Sequence, residues 1–116
     1  MKIYSRVMKA LSDPNRVRVL KLLEGGPLCV CEIQDVLGLA QPTVSSHMKI
    51  LEDAGLVTKK RQGTWIIYSH ADGSDSVYAG AMLTILKEWL NEDAELQRMI
   101  EALPEAGCRR VNTPKK

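Results

Sequence analysis

The apolar residues of this chain recur at helical spacing along most of its length. Val44, Met48 and Leu51, for example, repeat every three or four residues, which is the spacing of one helix face. Capping residues, prolines and glycines divide the pattern into predicted helices at residues 2–11, 14–24, 30–37, 42–54 and 74–103. Between the last two helices the period changes, and residues 56–70 predict a two-stranded β-hairpin with a Gln62-Gly63 turn.

The predicted order of elements is four helices, a hairpin and a final helix. Two short helices joined by a tight turn and followed by a basic hairpin are typical of a winged helix-turn-helix. The length of 116 residues is that of one domain. We therefore expect a mainly α fold with a small β-hairpin (α+β) at residues 1–104. Residues 105–116 are expected to form a mobile basic C-terminal tail that carries Cys108.

The net charge of +2 conceals an uneven distribution of charged residues. Residues 41–70 carry four cations against two acids, whereas residues 71–105 carry eight acids against two cations. A basic middle segment suits a protein that presents one face to a polyanion. The sequence has neither an apolar run of membrane-spanning length nor the features of a secretory signal, so we expect a cytoplasmic protein without a membrane partner.

Short polar side chains flank the apolar stripe of the fourth predicted helix, mostly near its N-terminus. Hydroxyl and amide groups pair with base edges in the major groove, and cations on a hairpin contact phosphates. A solvated helix face is the alternative, but the basic hairpin that follows favours a DNA-reading helix. The candidate DNA-binding residues are Gln41, Thr43, Ser45, Ser46, His47, Lys49, Lys59, Lys60, Arg61 and Gln62. We interpret His47 as a structural or backbone-contacting residue rather than a metal ligand.

Cys29 and Cys31 lie one residue apart at the start of the third predicted helix. Such a pair can be buried apolar filler, a redox couple or two ligands of a soft ion. Chelation is the favoured interpretation, because a disulfide between the two is strained and thiolates select soft ions. In a regular helix, side chains two positions apart point about 200° apart. Both thiols can therefore hold one ion only if the start of the helix unwinds or is already frayed.

The stretch "LCVCEIQDVLGLAQPTVSSHMKILEDAGLVTKKRQGTWIIYSH" closely resembles the ArsR/SmtB family of metal- and metalloid-sensing transcriptional repressors. The resemblance covers roughly residues 3–90 and is densest from Leu28 to Tyr68. Within it, "QPTVSSHMKILEDAGLV" and "RQGTWIIY" are similar to the family's recognition helix and wing. The resemblance implies a homodimer held together by the first and last helices. It also implies that the dimer binds operator double-stranded DNA without a cofactor and represses a resistance operon.

The motif "LCVCE" resembles the cysteine motif of the family's arsenite and cadmium/lead sensors. This resemblance implies As(III) or Sb(III) as the inducer, bound by Cys29 and Cys31, and Cys108 is the candidate third ligand. Water or an exogenous thiol is the alternative third ligand. Gln34 stands where the arsenite branch usually has a further cysteine, and residues 1–28 contain no cysteine. Sensing of Cd(II), Pb(II) or Bi(III), or of thiol oxidation, therefore stays open.

An enzymatic function is not expected from this sequence. It has no phosphate-cradling glycine loop, no cysteine paired with a plausible base and no βαβ pattern around its thiols. These are the features that an arsenate reductase or a thiol transferase would need. The sequence therefore favours a DNA-binding regulator over a small enzyme.

Overall fold

The computed structural model describes residues 1–105 of the chain, so Cys108 lies outside the described residues. The helices are α1 (Lys2–Ala10), α2 (Pro14–Leu22), α3 (Val30–Leu37), α4 (Gln41–Asp53), α5 (Val77–Leu86) and α6 (Ala94–Ala102). The strands are β1 (Leu28–Cys29), β2 (Val57–Gln62) and β3 (Trp65–His70), and 3₁₀ turns occupy Leu23–Gly25 and Leu103–Glu105. No helix in this part of the chain combines the length and apolarity needed to cross a membrane. The predicted mainly α fold with a small β component is confirmed.

The predicted apolar face of α4 is confirmed as the centre of the core. Val44, Met48 and Leu51 are each 0% exposed. Ile33 of α3 and Leu20 of α2 belong to the same buried cluster. Because α3 and α4 bury their inner faces in one core, a displacement of α3 must be accommodated by α4.

The sheet has three antiparallel strands in the order β1-β3-β2, where the sequence predicted only a hairpin. Leu28 pairs with Tyr68, and Cys29 pairs with Ile67. Two residues are too few to show the alternation of a strand, so β1 depends on its distant partner β3 rather than on a local signal. The hairpin turn also lies one residue later than predicted, because Gln62 pairs with Trp65.

The expected long final helix is wrong, because α5 ends at Leu86 and α6 begins at Ala94. The buried Lys21 of α2 holds the break, since its Nζ donates to the Leu86 carbonyl at 2.7 Å and to Asn91 Oδ1 at 2.9 Å. Leu90 adopts a φ of 63°, and Asp93 caps α6 by accepting from the Leu96 N–H at 2.9 Å. The Leu86 carbonyl also accepts from the Trp89 N–H at 3.1 Å, so a tight turn replaces a further turn of α-helix.

The N-terminus of α2 is capped by Asp13, one of the two residues that the sequence offered for this role. Its Oδ1 accepts from the backbone N–H groups of Asn15 at 2.7 Å and Arg16 at 3.3 Å. Partial burial acts to raise the pKa of the Asp13 carboxyl, but these N–H groups and nearby positive charge hold the pKa below its ordinary value. The resulting stabilisation is therefore present above the unfolded-state pKa and is lost as the pH falls through the folded-state pKa.

Asp13→Ala is expected to lower the free energy of unfolding by about 1 kcal/mol near neutral pH, because it removes the α2 cap. Asp13→Asn keeps a capping oxygen but has no carboxyl to titrate, so it should retain most of this stability. Urea denaturation of the three proteins between about pH 2 and pH 7 measures both effects. If Asp13→Asn lost stability in acid as steeply as the wild type, the cap would not be a source of the acid dependence.

Candidate nucleic-acid interface and cysteine site

The outer face of α4 presents the polar residues that the sequence singled out. The exposed candidates on this helix are Gln41, Thr43, Ser45, Ser46 and Lys49. The N-cap position is occupied by Ala40, which has no side-chain acceptor, and Pro42 lies in the first turn. The positive end of the helix dipole therefore faces outward beside these hydroxyl and amide groups, an arrangement that suits an anionic partner with polar edges.

His47 lies on the same helix but is half-buried, and it contacts Arg16 of α2. The Arg16 Nη1 is 3.2 Å from His47 Nδ1. Because a guanidinium has donors only, Nδ1 of His47 is the acceptor in this contact. This contact attaches the middle of α4 to the N-terminus of α2.

The strand β2 carries the other predicted candidates, Lys59, Lys60, Arg61 and Gln62, which are all exposed. Lys59 forms an ion pair with Glu52 at 3.6 Å, and Lys49 on α4 forms one with Asp53 at 3.4 Å. Such exposed pairs contribute little to stability and are easily exchanged. Within the described part of the chain, Lys60 and Arg61 have no acidic partner within ion-pair distance, so they provide the uncompensated positive charge of the hairpin.

Cys29 is buried at the junction of β1 and α3, where it is the N-cap of α3. Its backbone N–H donates to Glu32 Oε1 at 2.9 Å, and its Sγ accepts from the Glu32 N–H, so the two residues form a capping box. The backbone of Cys29 is extended, with φ −83° and ψ 160°. The first thiol therefore lies outside the helical turns, and only the second is on the helix itself.

The surroundings of Cys29 favour its protonated form. Burial raises the pKa of the thiol, and the negative charge of Glu32 adds to the rise against the helix N–H groups that lower it. Binding of a soft cation requires the thiolate. A ligand must therefore displace the proton of Cys29 and compete with the Glu32 N–H for the same sulfur atom.

The described residues do not by themselves bring three ligands together. Cys31 is half-buried in the first turn of α3, whereas Cys29 is buried. Among residues 1–105 no group of three His, Cys, Asp or Glu side chains is arranged to hold a metal ion. The donor set of two cysteines suits a soft ion, and a third ligand would have to come from outside the described residues.

Sequence reasoning missed two residues that shape these sites. Arg16 contacts His47, but the local pattern marks it only as a polar residue in the first turn of a helix. Glu32 has a local signal, because a carboxylate side chain three positions after the N-cap residue is typical of a capping box. That signal was overlooked because cysteine is not a usual N-cap residue.

Comparisons with known proteins agree with this geometry. The family profile described as "Bacterial regulatory protein, arsR family" matches residues 13–59. An uncharacterised HTH-type transcriptional regulator of Methanocaldococcus jannaschii is 46% identical over 69 residues, which are 59% of this chain and 78% of that protein. The arsenical resistance operon repressor of Escherichia coli K12 is 32% identical over 104 residues, which are 89% of this chain and 86% of that protein.

A solved structure shares the fold over most of the chain. The homodimeric winged helix-turn-helix DNA-binding domain from Mycobacterium bovis matches with a TM-score of 0.65 and 28% identity. The match covers 81% of this chain and 83% of the Mycobacterium bovis fragment.

Proposed function

Because this chain belongs to the ArsR family of bacterial regulatory proteins, we propose that it represses a metalloid-resistance operon and leaves the operator when As(III) or Sb(III) binds its cysteines. The family consists of DNA-binding transcriptional regulators, so the chain is a transcriptional repressor and not an enzyme. The observation that carries the proposal is the position of Cys29, a buried thiol that caps the helix packed against α4. The arsenical resistance repressor of Escherichia coli supports the choice of ligand.

DNA recognition is assigned to the outer face of α4 and to the hairpin. The exposed hydroxyl and amide groups of Gln41, Ser45 and Ser46 have the chemistry that base edges require. Lys60 and Arg61 are free of acidic partners within the described residues and would meet the neighbouring phosphates. The two roles differ in kind, because contacts to bases give specificity and contacts to phosphates give salt-dependent affinity.

The active form is proposed to be a homodimer joined through α1 and α5. Apolar side chains on these helices are exposed in the single chain, among them Ile3 at 53% and Val77 at 74%. Tyr4 and Tyr78 connect the two helices through an edge-to-face contact with ring centroids 5.6 Å apart. A second copy would cover this surface, and the related domain from Mycobacterium bovis is homodimeric.

Release from DNA is proposed to start at the capping box. An ion held by Cys29 and Cys31 takes the Cys29 sulfur from the Glu32 N–H, and loss of an N-cap loosens the first turn of α3. Ile33 of α3 is buried in the cluster that contains the inner face of α4. A shift of α3 therefore changes the position of α4, and two misplaced reading helices fit two half-sites poorly.

Fluorescence anisotropy of the reduced protein on its own promoter fragment, titrated with arsenite, tests the function. Arsenite should release the wild type but neither Cys29→Ser nor Cys31→Ser, while all three bind DNA equally without arsenite. Cys108→Ser reports whether the third ligand comes from this chain. A wild type that binds the promoter but ignores arsenite would overturn the ligand assignment.

A thiol-redox repressor is the second candidate function, because Cys29 and Cys31 lie two positions apart at the start of the helix packed against α4. In that case oxidation rather than metalloid binding would release the DNA. The same titration separates the two, because peroxide or oxidised glutathione would then act on the reduced protein while arsenite would not. Cadmium serves as a third arm, since release by cadmium alone would indicate a sensor of Cd(II), Pb(II) or Bi(III).

A further inference from the structure

Three cations of α1 and α2 lie beside the second half of α4, and none was a candidate from the sequence. Arg6 and Lys9 belong to α1, and Arg16 belongs to α2. With residues from the second half of α4 they line a cavity of about 230 Å³. We call Arg6, Lys9 and Arg16 the basic flank.

Arg16 fixes the basic flank to the reading helix. Its Nε donates to the Ala10 carbonyl at 2.8 Å, its Nη2 to the Lys9 carbonyl at 3.2 Å and its Nη1 to His47 at 3.2 Å. A guanidinium has five N–H donors, so two are left for another acceptor. The end of α1 at Lys9 is thus held near His47, which directly follows the exposed Ser45 and Ser46 along α4.

The positions of the other flank residues follow from the direction of α1. Ile3 and Arg6 line a second cavity with Gly55 and Ser76, beyond the C-terminal end of α4. Lys9 and Arg16 are therefore nearer than Arg6 to the N-terminal turns of α4, where the proposed base-reading residues lie. A duplex seated on those turns would bring its backbone towards Lys9 first.

Acidic residues also lie near the basic flank, because Asp53 lines its cavity, Glu52 and Asp75 line the second cavity beside Arg6, and the charge of Asp13 interacts with Arg16. Among residues 1–105, Arg6, Lys9 and Arg16 form no ion pair, and the nearby Asp53 is paired with Lys49. Arg6 and Lys9 are both exposed. Lys9 lies in the last turn of α1, where a cation also stabilises the helix dipole, but that role leaves its ammonium group open to a second partner.

We propose that Lys9 and Arg16 bind phosphates of the operator backbone beside the base pairs that α4 reads. The partner is double-stranded DNA because Lys9 and Arg16 are cations that form no ion pair within residues 1–105, and Arg16 joins them to the proposed DNA-reading face through its contact with His47. The inference rests on the proposed role of α4. It adds a phosphate-binding surface on α1 and α2, separate from the cations of the hairpin, so two basic surfaces beside the reading helix would hold the duplex.

Lys9→Ala tests the proposal, with Lys87→Ala as a control at an exposed lysine on the end of α5. Arg16 is unsuitable because its removal would also detach His47. Anisotropy on operator and unrelated duplexes is measured from about 50 to 200 mM salt. Lys9→Ala should lower the slope of log affinity against log salt by about one per subunit, and so by about two per dimer. It should weaken both duplexes by the same factor, and Lys9→Arg should restore binding.

Lys60→Ala separates failure of this inference from failure of the proposed function. If Lys60→Ala lowers the slope while Lys9→Ala leaves it at the wild-type value, the basic flank does not bind DNA. If Lys9→Ala lowers only the melting temperature, Lys9 serves the helix dipole alone and the inference is again overturned. If the wild type binds no duplex, the proposed reading role of α4 fails, and the inference fails with it.

Discussion

Leu51→Ala is expected to lower the free energy of unfolding by about 2–5 kcal/mol, the usual range for truncation of a fully buried leucine. Leu51 is 0% exposed and belongs to the cluster that joins α4 to α1, α2 and α3. The lost methyl groups leave a cavity that the neighbouring helices cannot close without moving apart. Since small domains have about 5–15 kcal/mol of stability in total, this one change removes a large part of it.

Ile50→Ala is the matched control for this prediction, because it removes an aliphatic side chain of the same size from the adjacent position. Ile50 is 36% exposed and points away from the core. Its truncation should cost less than about 1 kcal/mol. Urea denaturation at one fixed protein concentration measures both variants, since dimerisation makes stability depend on concentration. Equal losses in the two variants would contradict the assignment of the inner face of α4.

The elements that were predicted correctly carry their signal locally. The repeat of Val44, Met48 and Leu51 specifies one buried face, and a helix is the only regular structure with that period. Gly38, which ends α3, adopts a φ of 69° that favours glycine, so the boundary of α3 was also visible in the sequence. The polar outer face of α4 could be predicted from the same pattern, because it consists of the residues that do not belong to the buried face.

The elements that were missed depend on partners that are distant in sequence. Lys21 is charged, and a periodicity argument places it on the surface, yet it is 2% exposed. Its hydrogen-bond acceptors Leu86 and Asn91 lie in a different part of the chain, and only its ion pair with Glu24 is local. The sequence around Lys21 therefore predicts neither its burial nor the break between α5 and α6. The strand β1 was missed for the same reason, because it forms only by pairing with the distant strand β3.

The candidate site also contains features that the sequence predicts and features that it does not. Cys29 and Cys31 are recognisable from residue type and spacing, and the structure places the first at an N-cap, which is one of the two arrangements that the helix geometry required. The contact of Arg16 with His47 joins two helices and was invisible in the sequence. The places of the candidate residues in the fold were therefore predictable, whereas the contacts that couple one element to another were not.

Replacement of Gln41 and Ser45 by alanine is expected to reduce discrimination between operator and unrelated DNA. The two residues are four positions apart on α4, so both lie on its exposed face. A good contact between a side chain and a base edge is worth about 1–3 kcal/mol of discrimination, or roughly 5- to 150-fold. Each single variant should lose a factor in this range if its side chain reads a base, and the double variant should lose close to the product.

Lys60→Ala on β2 is the control variant for this prediction. Lys60 has the chemistry of a phosphate contact, so its loss should weaken operator and unrelated DNA by the same factor and leave their ratio unchanged. Affinities are measured at one salt concentration, on a duplex selected by the wild type from random sequences and on a scrambled duplex of equal composition. Equal weakening of both duplexes by Gln41→Ala and Ser45→Ala would show that this face of α4 contacts only the backbone. The recognition of sequence would then have to reside in other residues, of which Thr43, Ser46 and the turn of the hairpin are the nearest.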